Sequence, residues 1–151
     1  MGNRNEIIEE LNDILERNYD SVKGFKKAAE NADDNRLVGY FNKQVLKRKG
    51  FIGELSNEVS SLGGSPKDSG SVEGTLHRTW IDFKTALSYD NDENVIEACI
   101  TGERKCMDEY NDLLKKTYVP SSTRALLQKQ RTAVERSINS LELKEEEYDV
   151  D

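Results

Sequence analysis

An all-α bundle of four long helices with one long crossover is the fold this sequence predicts, and three observations predict it. Apolar residues recur at steps of three and four along four separate stretches, the pattern of amphipathic helices facing a shared core. The only two prolines, Pro66 and Pro120, both fall in breaks between those stretches. No segment shows strand-like alternation or an internal repeat. At 151 residues, with 35% hydrophobic and 34% charged side chains, the chain suits one domain over residues 1–151, with charged helical faces around a modest core.

The first helix is expected over 3–32, with Ile7, Leu11, Ile14, Asn18, Val22, Phe25, Ala29 and Ala32 as its stripe. Asn31, Asp33, Asp34 and Asn35 stop and restart the chain, with Asp33 or Asp34 as N-cap of the next helix. So short a turn makes the two helices antiparallel neighbours. The second helix, over 35–62, carries Leu37, Phe41, Val45, Arg48, Ile52, Leu55, Val59 and Leu62. Gly63-Gly64 ends it and Pro66 prevents resumption. Gly50 and Gly53 weaken its interior, and their missing side chains either admit a close helix or face solvent.

A polar link over 65–71 leads to a shorter helix over 72–88, with Leu76, Trp80, Phe83 and Leu87 on one face. This helix is expected to pack outside or across the bundle, with Trp80 as anchor. Residues 89–92 break the pattern and cap a third long helix over 92–118. Its seam is Ile96, Cys99, Glu103, Cys106, Tyr110 and Leu113. Val119-Pro120 makes a corner, Pro120 being suited to a first helical position. The last helix carries Leu127, Val134, Ile138 and Leu141 to about 144, with Gln130 or Arg131 completing the stripe. The acidic tail over 145–151 is expected to fray. Two tight hairpins joined by a long crossover are the ferritin-like arrangement.

Charge and cysteine content narrow the setting. The net charge of −7 repels phosphate backbones, so neither nucleic acid nor an anionic membrane is an expected partner. Exposed helix faces are where a homodimer would form. Cys99 and Cys106 lie seven residues apart on one helix, roughly 10 Å along its axis. A disulfide needs about 4.4–6.8 Å between α-carbons, so the expectation is two buried thiols in a reducing compartment. The N-terminal MGNRNEIIEEL has no apolar signal core, and no stretch approaches the roughly 18 apolar residues of a membrane span. A cytoplasmic protein is expected.

Each long helix has a polar residue near the middle of its stripe: Asn18, Arg48, Glu103, and Gln130 or Arg131. Antiparallel helices of similar length bring these to one level, which predicts a connected polar layer. Arg48 and Glu103 are its natural charge pair, since guanidinium and carboxylate join through two parallel hydrogen bonds. In ferritin-like carboxylate proteins this level holds two metal ions, with two helices each supplying a Glu-x-x-His. This sequence has no Glu-x-x-His, and its only histidine, His77, lies in the connecting segment.

The chain resembles a bacterial family of uncharacterised ferritin-like four-helix-bundle proteins, a domain of unknown function. The resemblance rests on Lys23-Gly24-Phe25 with Ala28-Ala29-Glu30, and on Phe51 with Glu54-Leu55. It is most specific in the connection: Leu62-Gly63-Gly64, Pro66, Asp68-Ser69-Gly70-Ser71, Gly74, Leu76-His77-Arg78 and Trp80. Gly102-Glu103 and Arg124-Ala125-Leu126 complete it. The resemblance implies the fold and brings no activity with it. The wider superfamily includes rubrerythrin-like di-iron proteins. Their first-helix Glu falls near Val22, their second-helix Glu-x-x-His on Arg48 and Phe51, their third-helix Glu on Glu103, and their last Glu-x-x-His on Glu135 and Ile138.

The function expected from these observations is a non-catalytic bundle without a cofactor, acting through its surface as a stress-associated or interaction protein. Cys99 and Cys106 with one remote histidine do not make a thiol-protease site. Gly63-Gly64 lacks the strand-to-helix context of a nucleotide loop. The alternative is a protein that binds iron or another divalent metal, or a redox protein, using Glu103 and Glu135 with Cys99, Cys106 and Tyr110. A third reading places a small-molecule pocket beside Trp80 and Phe83.

Overall fold

The computed structural model describes residues 2–71 and 91–149; the helix expected over 72–88, with His77, Trp80 and Phe83, lies outside them. Among the described residues there are four helices: α1 (Gly2–Asn31), α2 (Asn35–Ser61), α3 (Asp92–Leu114) and α4 (Ser121–Asp149). Each packs antiparallel to its neighbours around the bundle. Phe25 of α1 meets Phe41 of α2 with ring centroids 6.1 Å apart, and Tyr40 of α2 donates to Ser137 Oγ of α4 at 3.1 Å. Nearer the start of α1, Arg17 pairs with Glu109 of α3, and Glu6 pairs with Lys116 just past the end of α3. The long connection therefore joins α2 to the diagonal helix α3.

Each terminus has its own chemistry. Asp34 caps α2 by accepting from the Arg36 amide at 2.8 Å, and Asn91 caps α3 by accepting from Glu93. Asp92 also accepts from the backbone amides of Asp33 and Asp34, at 2.8 and 3.0 Å, tying the α1–α2 turn to the start of α3. Gly63, at φ +90°, closes α2 in the left-handed conformation that glycine adopts without strain.

Four boundaries and faces differ from the sequence expectation. After Asn18 the buried face of α1 passes to Ser21, Phe25 and Ala28. Val22, Ala29 and Ala32 pack only partly buried beside it, because 3.6 residues per turn rotates a strict four-residue step off the core. On α2 the buried positions include Gln44 and Phe51, while Ile52 and Leu62 sit at the flank. The third helix stops at Leu114, short of 118. Arg124, in the first turn of α4, donates to the Leu114 and Lys116 carbonyls at 2.9 and 2.6 Å and so satisfies groups that the helix end leaves open. The tail does not fray at 145; α4 continues to Asp149. Tyr148 packs on the core and its hydroxyl donates to Asp92 at 3.4 Å, while Lys144 Nζ sits 4.8 Å over the Tyr40 ring.

The apolar core is in two parts. One lies toward the α1–α2 turn, with Phe25, Phe41, Val45, Ile96, Cys99 and Leu141. The other fills the opposite half, with Leu11, Leu55, Cys106, Leu113, Leu127 and Val134. Fully burying a side chain of this size stabilises the fold by about 1.5–3 kcal/mol. Between the two parts lies a layer of polar groups.

Candidate functional site

Arg48 of α2 and Glu103 of α3 reach across the bundle diagonal and meet between the two apolar clusters. Their side chains are 1% and 0% exposed. Both guanidinium nitrogens donate, Nη1 to Oε1 at 2.7 Å and Nη2 to Oε2 in a shorter contact. The rings of Phe25 and Phe51 each lie 5.6 Å from the Arg48 guanidinium carbon, flanking the buried charge in cation–π contact. Burial alone would pull the guanidinium pKa down, but the charge and hydrogen bonds of Glu103 outweigh that and hold it above its ordinary value.

Two turns further along α3, at Tyr110, lies a second run of polar contacts. Asn18 Nδ2 donates to Tyr110 Oη at 3.0 Å, and Tyr110 donates to Gln130 Oε1 at 2.7 Å. Gln130 Nε2 then donates to Glu54 Oε1 at 3.2 Å. This run ends at the surface, where Lys129 pairs with Glu54 at 2.8 Å. Asn18, Tyr110 and Gln130 are each fully buried, and Asn18 Oδ1 is buried without a hydrogen-bond partner among the described residues. Burial pushes the Tyr110 hydroxyl well up, so it acts as a neutral relay that accepts one hydrogen bond and donates another.

The structure thus brings Asn18, Arg48, Glu103 and Gln130 to the bundle centre. It leaves Arg131 out. Of the two candidates on α4, Gln130 faces inward, while Arg131 turns to the flank, donating to Asn111 Oδ1 at 2.5 Å and pairing with Glu135 at 3.1 Å. Glu135 is itself half exposed, one helical face away from the layer, so it does not join Glu103. Cys99 and Cys106 are buried free thiols. Burial pushes the Cys106 thiol up to about 12, which keeps it protonated and unreactive at neutral pH.

A second polar cluster lies on the flank of α1, outside the apolar stripes. Asp20 is fully buried and accepts from the Ser71 amide at 2.8 Å, from the Ser71 hydroxyl at 2.6 Å and from Arg17. Arg17 also donates to Ser71 Oγ at 2.7 Å and pairs with Glu16 at 2.6 Å and Glu109 at 3.0 Å. Lys67 reaches Glu16 at 2.7 Å. A side chain at position 70 would collide with the Asp20 carboxylate, so Gly70 lets the crossover lie directly on α1. Burial pushes the Glu109 carboxyl up to about 7, against the pull of Arg17. The signal that could have found this cluster was the Asp68-Ser69-Gly70-Ser71 stretch, whose polarity needed a docking partner, beside Arg17 and Asp20 at i,i+3 spacing.

A model of the domain of unknown function DUF2383 matches residues 6–116. The chain belongs to this family. The matched residues run from α1 through the crossover to the end of α3, and so include Arg17, Asp20, Arg48, Ser71 and Glu103. No curated protein matches the chain. Among solved structures, a point mutant of Mycobacterium smegmatis Dps1 superposes with a TM-score of 0.78 at 18% identity, covering 93% of this chain and 95% of the other. At that identity the likeness is one of fold. This DUF2383 domain is a ferritin-like four-helix bundle, and no helix among its described residues is long and apolar enough to cross a membrane.

Proposed function

We propose that this DUF2383 protein is a non-catalytic ferritin-like bundle in which an arginine–glutamate layer stands where the superfamily's metal ions would, and which works through its surface. The observation that carries this reading is the bidentate pairing of Arg48 with Glu103 at the bundle centre. A dimetal-carboxylate centre needs inward carboxylates and imidazoles with free lone pairs. Here both Glu103 oxygens accept from a guanidinium, and no Glu-x-x-His is present. The donor set therefore does not fit such a centre, and Arg48 supplies fixed positive charge in place of a cation.

The reading also fits the buried thiols, whose raised pKa values leave them as core filler. Elemental analysis of protein purified without added metal tests it, together with ferrous-ion oxidation measured against a protein-free control. The expected result is substoichiometric metal and oxidation at the background rate. Stoichiometric iron, with an anomalous signal at Glu103, would overturn the proposal in favour of a metal-binding or redox protein.

A further inference from the structure

The charge of this chain is unevenly placed. From residue 35 to residue 53 there are five basic residues, Arg36, Lys43, Lys47, Arg48 and Lys49, and no acidic one, within a chain of net charge −7. Arg48 is turned inward to Glu103; Arg36, Lys43, Lys47 and Lys49 are exposed. Leu46 stands among them at 70% exposure. Gly39, Gly50 and Gly53 follow the same outer stripe of α2, and a side-chain carbon built on any of them would meet no atom within 4 Å. The outer face of α2 is thus a basic strip with one large apolar side chain and room on both sides for a neighbouring backbone.

The end of α4 is its complement. Residues 142–147 carry four glutamates and one lysine. Leu143, at 63% exposure, is the other large apolar side chain left in solvent among the described residues. Glu146 and Glu147 are exposed beside it. The two patches sit on neighbouring antiparallel helices, since Tyr40 of α2 meets Ser137 and Lys144 of α4. Leu46 therefore lies about one and a half to two turns from Leu143 along the bundle, roughly 10 Å. The described part of the crossover, residues 65–71, lies on α1 and leaves this side clear.

We infer that the occupant of the basic strip is a second copy of this chain, with Leu46 and its lysines on one protomer receiving Leu143 and its glutamates from the other. A two-fold axis between the patches forms the same contact twice and closes the assembly as a dimer. Charge decides against pairing like patches: α2 on α2 would set lysines against lysines, whereas α2 on α4 sets lysines against glutamates. The inference rests on the reading of a bundle that works through its surface, but its readout, mass in solution, is separate from the metal and oxidation measurements that test that reading.

Sedimentation equilibrium over a concentration series, at low and high salt, tests it. The wild type should form a dimer that weakens as salt rises. Leu46→Glu should weaken association by roughly tenfold or more while leaving helicity, read by circular dichroism, unchanged. Two charge-reversed chains give the decisive arm: Lys43→Glu with Lys47→Glu in one, Glu146→Lys with Glu147→Lys in the other. Each alone should be monomeric, because both of its contacts become like-charged, and an equimolar mixture should form a 1:1 dimer. A wild type that stays monomeric, a dimer indifferent to Leu46→Glu, or a mixture that remains monomeric would overturn the inference.

Discussion

Two arginines of this bundle, Arg48 and Arg17, are both held by carboxylates, and the differences between their settings explain what each does. Arg48 meets one carboxylate, sealed between two apolar clusters and two aromatic rings. Its charge is matched one for one. Arg17 meets three, Glu16, Asp20 and Glu109, on a flank where Glu109 is still 33% exposed. The negative charge left over there is shared with Lys67, which reaches Glu16, and with the water that reaches part of the cluster. The centre therefore joins two diagonal helices, and the flank fastens the crossover to α1. A matched pair can be buried completely; an unmatched cluster stays near solvent, and one of its carboxyls is pushed toward neutrality.

The sharpest way to break this contrast is to remove half of the central pair. Glu103→Leu or Arg48→Leu should each destabilise the protein by about 3–5 kcal/mol in urea unfolding, since the remaining charge is stranded in a buried site. The double variant should recover most of that loss, because desolvation offsets much of the attraction in a buried pair. Additive effects in the double-mutant cycle would mean that water reaches the centre and that the two arginines are alike after all.

On the flank the expected loss is smaller and local. Asp20→Ala removes the acceptor of the Ser71 amide and hydroxyl and should cost about 2 kcal/mol, with Glu16 and Glu109 still holding Arg17. Its signature is faster proteolytic cleavage within residues 65–71 at unchanged helicity. Global unfolding without such local release would place Asp20 in the core's framework instead of the clasp. Tyr110→Phe lies between the two regions in character. It keeps the packing but deletes the hydroxyl linking Asn18 to Gln130, and a loss of roughly 1–2 kcal/mol is expected by thermal unfolding. No measurable loss would show the relay to be incidental to the layer.

Most of the bundle was legible from periodicity because burial in a four-helix core depends on which residues recur every 3.6 positions. The seam of α3, Ile96, Cys99, Glu103, Cys106, Tyr110 and Leu113, is buried at every position. Periodicity was weaker where a charge is buried for a tertiary reason. Arg17 and Asp20 look like solvent-facing residues until Ser71, some fifty residues away, is laid against them. The choice between Gln130 and Arg131 turned on a single helical step, which neighbouring positions on a wheel do not resolve. The end of α4 is hard to read because three glutamates in a row mask Tyr148, which packs on the core and bonds Asp92.

The smallest expected effect probes the surplus on the flank directly. Glu109 has its carboxyl raised by burial from an ordinary 4.5 to about 7, with Arg17 opposing and Asp13 and Glu16 adding to the rise. Between those two values the folded protein holds a proton that the unfolded chain releases. Stability should therefore fall as pH rises from about 4.5 to about 7, and this contribution should be level on either side. Glu109→Gln cannot ionise, yet its amide oxygen can still accept from Arg17 Nε. The variant should match the wild type near pH 4.5 and exceed it above pH 7, by no more than about 1 kcal/mol once solvent screening is allowed for. Melting temperatures of the two proteins across this range check it. Parallel profiles would mean that Arg17 neutralises all three of its carboxylates as completely as Arg48 neutralises one, and the distinction between a matched centre and an oversupplied flank would fall.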